Sequence, residues 1–124
     1  MQQKFSDDDN KTHPMRARQA WQILVGKAMN RQTVTYSQLS KLMYGKELPW
    51  VLSEILGHIA FYCISKDLPQ LNVLVVGLGR GTPGKDIPAD PSDIDVFREA
   101  VYGTDWYDIV PPTEHDLKAA YDEG

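Results

Sequence analysis

The chain has 124 residues, 24% of them charged and 42% hydrophobic, and a formal net charge of −4. That length holds one domain with a single ordinary core. Its longest mostly apolar stretch, Trp50 to Ile64, is broken by Ser53, Glu54 and His58. It falls short of the roughly 20 apolar residues a bilayer crossing needs, so no membrane partner is expected.

No apolar run follows a basic start at the N-terminus, so no secretion signal is expected. With Cys63 as the only cysteine, no internal disulfide can form, and a reducing cytoplasm is the expected location. The charge is split along the chain. Lys11, Arg16, Arg18, Lys27, Arg31, Lys41 and Lys46 stand against Glu47 alone between Lys11 and Glu47, whereas from Asp86 onward eleven acidic residues face only Arg98 and Lys118. Such a split predicts a polyanion partner for one face, a basic face held near an acidic tail, or simply a solvated surface.

Taken in order, residues 1–12 are polar, with Asp7 to Asn10 in a row, and read as a loose tail ahead of one domain over 13–124. A helix is predicted from near Pro14 to about Asn30, because Ala17, Ala20, Trp21, Leu24, Val25 and Ala28 form one stripe at helical spacing. Trp21 is then core. Gln32 to Tyr36 alternates and is β-branched, so it reads as a short strand. Ser37 is the expected cap of a helix that turns Leu39, Leu42 and Met43 inward and ends at Gly45. Pro49 opens the next helix, which Asp67 to Pro69 closes. That helix is more apolar than one stripe needs, so it belongs either at the centre of the core or in a protein interface. Leu71 to Val76 reads as a strand, followed by a glycine-rich turn through Gly84. Asp90 or Ser92 should cap a helix running to about Tyr102, with Ile94, Phe97, Ala100 and Val101 on one face. An extended connection carries Trp106 and Tyr107, and Thr113 with Asp116 has the spacing of a capping box for a last helix over Glu114 to Asp122.

Several patterns mimic chemistry. Gly79-Arg80-Gly81-Thr82-Pro83-Gly84 fits GxGxxG, and Gly79 to Lys85 fits a phosphate loop as far as its lysine. Both work by aiming a following helix at phosphate, yet Asp86-Ile87-Pro88 comes next, so no nucleotide is expected. His58 is five positions from Cys63 and lies on another helical face, so no thiol nucleophile is indicated. Three scattered histidines and one cysteine give no zinc spacing, and Asp90, Asp93 and Asp95 read as caps and first-turn acids rather than metal ligands. No cofactor, metal or catalytic residue is expected.

The order of parts over 32–84, a short β segment, a capped helix, a glycine turn, a second helix and a strand leading to a glycine loop, is that of an α+β winged helix-turn-helix. Residues 86–124 add an acidic extension with extra C-terminal helices. Val34-Thr35-Tyr36-Ser37-Gln38-Leu39-Ser40, Leu56-Gly57-His58-Ile59, Asp67-Leu68-Pro69 and Gly81-Thr82-Pro83-Gly84 together resemble the winged-helix domain of the alkylguanine-DNA alkyltransferases and their non-catalytic alkyltransferase-like relatives. The likeness covers about Ala17 to Gly84. The family's Pro-Cys-His-Arg falls on Leu71-Asn72-Val73-Leu74, so the acceptor thiol, its histidine and its arginine are absent and alkyl transfer is not implied. Where the family inserts an arginine into the base stack, this chain has Leu48-Pro49-Trp50-Val51. The chain is also similar to small bacterial and mobile-element proteins that carry this stripped domain with an acidic tail.

The expectation is a non-enzymatic nucleic-acid-binding accessory or regulatory protein. Arg16, Arg18, Lys27, Arg31, Lys41, Lys46, Arg80 and Lys85 would meet phosphates of DNA without reading sequence, and the backbone amides at Tyr36 and Ser37 would help. The rival is a protein-interaction module using Trp50, Phe61, Trp106, Tyr107 and the acidic surface. One form of it is a phage or mobile-element inhibitor of a host defence nuclease complex. A homodimer that hides the apolar second helix is a third expectation.

Overall fold

The computed structural model describes residues 5–47, 51–77 and 94–123. Among them are five α-helices, α1 (Phe5–Met29), α2 (Tyr36–Tyr44), α3 (Leu52–Ser65), α4 (Ile94–Tyr102) and α5 (Glu114–Glu123). The two strands are β1 (Val34–Thr35) and β2 (Val75–Val76). They pair in parallel, Val34 opposite Val75 and Thr35 opposite Val76.

This architecture corrects the α+β winged helix-turn-helix expectation. The described residues are mostly helical, and their sheet is a single parallel pair of two-residue strands rather than an antiparallel wing sheet. The reason is visible at both ends of the pair. After α1, Arg31 takes a left-handed φ of 55° and the Gln32 N–H bonds back to the Lys27 carbonyl at 2.9 Å, so Gln32 belongs to a turn and not to β1. With so short a partner, the expected strand from Leu71 has little to pair with, and Leu71–Leu74 winds into a 3-10 turn instead. The turn still buries Leu71, Val73 and Leu74 completely.

The core is a bundle in which α1, α3 and α5 pack on one another, with α2, α4 and the 3-10 turn around them. The α1 stripe Ala17, Ala20, Trp21, Leu24, Val25 and Ala28 is buried as its spacing predicts. The helix begins at Phe5, however, so it takes in Pro14 and residues expected in the tail. On α3, Leu52, Ile55, Leu56, Gly57, His58, Ile59, Ala60, Tyr62 and Cys63 are all buried, which makes it the central helix and removes it as an exposed dimer face. Gly57 serves that packing, because a Cβ there would stand 3.1 Å from the Tyr121 ring of α5. Trp21 sits edge-on to both Tyr62 and Trp106, each centroid 5.6 Å away.

Local signals fix the helix ends. Thr35, not Ser37, caps α2: its side chain accepts from the Gln38 N–H, and the Gln38 side chain accepts from the Thr35 N–H, each at 3.0 Å. Gly45 ends α2 at φ 79°, a conformation that other residues adopt at a cost. Thr113 and Asp116 form the same reciprocal box at the start of α5, and the bonds from Thr113 hold the Asp116 carboxyl below its usual range.

Candidate functional site

The turn after α1 and the cap of α2 shape an open cleft of about 860 Å³, lined by Lys27, Gln32, Thr33, Val34, Gln38, Lys41 and Leu42. Lys27 comes from the last turn of α1 and Lys41 from the last turn of α2, and among the described residues no carboxylate lines the hollow. Buried Val34 lies on β1 and Leu42, expected to face inward, is instead 60% exposed. Lys46 is exposed just beyond the end of α2, and Tyr36 and Ser37 are half-buried in its first turn. The Gln38 N–H, being held by Thr35, is one amide of that turn already occupied.

The other described cations of the expected phosphate face are engaged within the chain. Arg16 lies 4.3 Å over the Tyr44 ring and donates to Gln19 Oε1 at 2.9 Å. Arg18 stands 3.7 Å from Glu114 of α5. Arg31 donates from Nη2 to both carboxylate oxygens of Glu99 on α4, at 2.7 and 2.9 Å, and covers the Tyr102 ring. Thus two acidic residues of the C-terminal segment sit on two arginines of the basic one. Arg80 and Lys85 lie outside the described residues, as does Trp50. Of the other interface candidates, Phe61 is half-buried with its ring 6.0 Å from Tyr121, and Tyr107 is 69% exposed. Trp106 is not a surface contact: it is 2% exposed, with its Nε1–H donating to the Val101 carbonyl at 2.8 Å.

A second cluster joins α1, α3 and α5. His13 Nδ1 lies 3.1 Å from Glu54 Oε2, and its ring meets that of His58 edge-on at 6.1 Å. His58 is 4% exposed and stacks on Tyr121 at 4.0 Å. Its Nδ1 lies 2.7 Å from the Glu54 carbonyl, so this nitrogen carries the proton and donates. Lys118 and Asp122, paired at 2.6 Å, help line the small hollow of about 190 Å³ beside these rings. The histidines are scattered along the sequence, yet His13 stands four residues before Ala17 and so extends the buried stripe of α1. Among the described residues, no group of three or more His, Cys, Asp or Glu is arranged to hold a metal ion.

Burial pushes the His58 pKa below its ordinary 6.5, against the upward pull of its bond to the Glu54 backbone. The unfolded chain therefore takes up this proton more readily than the folded one, and the stability linked to it is complete above pH 6.5 and lost as pH falls through the folded value. The urea midpoint is expected to drop between about pH 7 and pH 5, and to drop less in His58→Phe, which keeps a ring against Tyr121. Equal drops in both proteins would place the acid sensitivity elsewhere.

No family model, curated protein or solved structure matches the chain. The site rests on its own geometry. Cys63 is buried and free, and burial raises its thiol to about 12, so it carries no thiolate at neutral pH. Asn72, where the expected resemblance would put an acceptor cysteine, is fully buried in the 3-10 turn. Among the described residues, neither its Oδ1 nor its Nδ2 has a hydrogen-bond partner. No described helix is long and apolar enough to cross a membrane.

Proposed function

We propose that the chain is a non-enzymatic accessory protein that binds the phosphate backbone of nucleic acid through the cleft between α1, β1 and α2. The observation that carries this reading is the lining of the cleft. In a chain of net charge −4, this concavity brings together Lys27 and Lys41 with the side-chain amides of Gln32 and Gln38 and the hydroxyl of Thr33, with no carboxylate among its described lining residues. Lysine ammonium groups meet phosphate as point charges, while amide and hydroxyl donors position the backbone without reading bases. Lys46, exposed just beyond the end of α2, is a further cation on that helix's C-terminal side. Affinity then comes from counterion release, so it must fall steeply with salt.

A titration of arbitrary duplex and single-stranded DNA at low and near-physiological salt tests this. The wild type is expected to weaken linearly in log affinity against log salt. Lys27→Ala/Lys41→Ala should bind about tenfold or more weakly, with a slope smaller by about 2, one unit for each phosphate that is no longer neutralised. A double variant with the wild-type slope, or a wild type that binds nothing at low salt, would remove the nucleic-acid reading.

A further inference from the structure

On another side of the bundle, a pocket of about 230 Å³ opens between Trp21 and Val25 of α1 and the segment carrying Trp106, Tyr107, Ile109 and Pro111. It is smaller than the roughly 300–1,000 Å³ usual for a small-molecule site and suits one apolar side chain of a partner. Beside it the apolar surface continues outward, with Tyr107 69% and Val110 83% exposed. This edge is also shaped in advance of binding. Asp108 N–H bonds to the Asp105 carbonyl and Ile109 N–H to the Trp106 carbonyl, at 3.1 and 3.2 Å, and two prolines follow, the second of them buried. A stiff edge loses little entropy when it is covered.

The charge around the pocket indicates what covers it. From Gly103 to Glu114 the chain has no lysine or arginine. Asp105 and Asp108, both exposed, bracket Trp106 and Tyr107, and neither carboxylate makes an ion pair among the described residues. Glu114 differs, because Arg18 stands beside it. The segment therefore carries exposed apolar side chains flanked by two carboxylates without an ion pair among the described residues, the complement of a cationic segment with one large apolar residue.

We propose that the Trp106 to Pro111 edge is a docking surface for a basic segment of another protein, which places one aromatic or aliphatic side chain in the pocket and its lysines or arginines against Asp105 and Asp108. This face is separate from the lysine-lined cleft, and the proposal stands whether or not the cleft binds nucleic acid. Tyrosine at the centre of a patch, with charges at the edge, is the usual distribution of affinity and steering in an interface.

The test is selection of random twelve-residue peptides on the full chain, followed by anisotropy titration of the synthesised winners. Selected peptides are expected to carry lysine or arginine on both sides of a single Trp, Phe, Leu or Met. Tyr107→Ala/Val110→Ser, which alters exposed side chains only, should bind them about tenfold more weakly. Asp105→Asn/Asp108→Asn should bind several-fold more weakly at low salt, and this difference should vanish at high salt. The proposal is overturned by selection of neutral or acidic peptides, by failure to select any, or by variants that bind as the wild type does. Self-association abolished by Tyr107→Ala/Val110→Ser would likewise overturn it, because the occupant would then be a second copy of the chain.

Discussion

Trp106→Ala is expected to cost about 3–5 kcal/mol of folding stability, a third or more of what a domain of this size commonly has. Three losses combine. The indole is 2% exposed, so its removal leaves a void next to a pocket that already reaches it, and water enters the core between α1 and the Trp106 turn. The edge-on packing against Trp21 disappears, and with it one of the contacts by which α1 holds the C-terminal segment. The Val101 carbonyl, near the end of α4, loses the Nε1–H at 2.8 Å and keeps only the Thr104 N–H at 3.2 Å. Trp106→Phe separates these contributions: it keeps much of the apolar surface, lacks the donor, and should cost about 1–3 kcal/mol. Urea unfolding followed by far-UV circular dichroism measures both. A loss below about 1 kcal/mol in Trp106→Ala would show that the indole does not join α4 to the core.

Helical periodicity was legible wherever packing is local. The α1 stripe, the glycine stop at Gly45, the box at Thr113 and Asp116 and the α4 face at Ile94, Phe97 and Val101, though not at exposed Ala100, each follow from residues within a few positions of one another. The α2 cap was legible too, since Thr35 and Gln38 have capping-box spacing, but the alternation from Gln32 to Tyr36 drew Thr35 into a strand. Leu71 to Val76 failed for a deeper reason. A short apolar run looks the same whether it pairs as a strand or is buried as a turn, and the choice lies with the partner, which among the described residues is Val34 and Thr35.

The candidate site divides in the same way. That positive charge gathers before Glu47 can be read off the chain, but which cations remain available cannot. Arg31 meets Glu99 across 68 positions, and Arg18 meets Glu114 only because α5 packs on α1. Exposed ion pairs of this kind add little stability. They hold Arg31 and Arg18 against the C-terminal segment, and the cations that line the cleft are Lys27 and Lys41. The histidine cluster escaped for the same cause, since His13 and His58 meet only through the packing of α1 on α3.

Asn72→Leu is expected to stabilise the protein by about 1–3 kcal/mol, the cost of keeping an amide out of water without a partner. Both polar atoms of Asn72 lack hydrogen bonds among the described residues and the residue is fully buried, whereas leucine branches at the same carbon and places methyl groups where the amide now sits. Leucine is larger than asparagine and valine less so, so Asn72→Val is the variant that overpacks less. At this chain length each kcal/mol raises the thermal midpoint by about 3–5 °C. If both variants lose stability, the amide must be satisfied by a buried water, and the expectation fails. The position also separates stability from binding. Asn72 precedes β2, whose Val75 pairs with Val34 on the cleft wall, so a firmer turn steadies the cleft without touching Lys27 or Lys41. DNA affinity and its salt slope should therefore stay at wild-type values in Asn72→Leu. A change in slope would mean that the turn, and not the cleft alone, determines which charges meet phosphate.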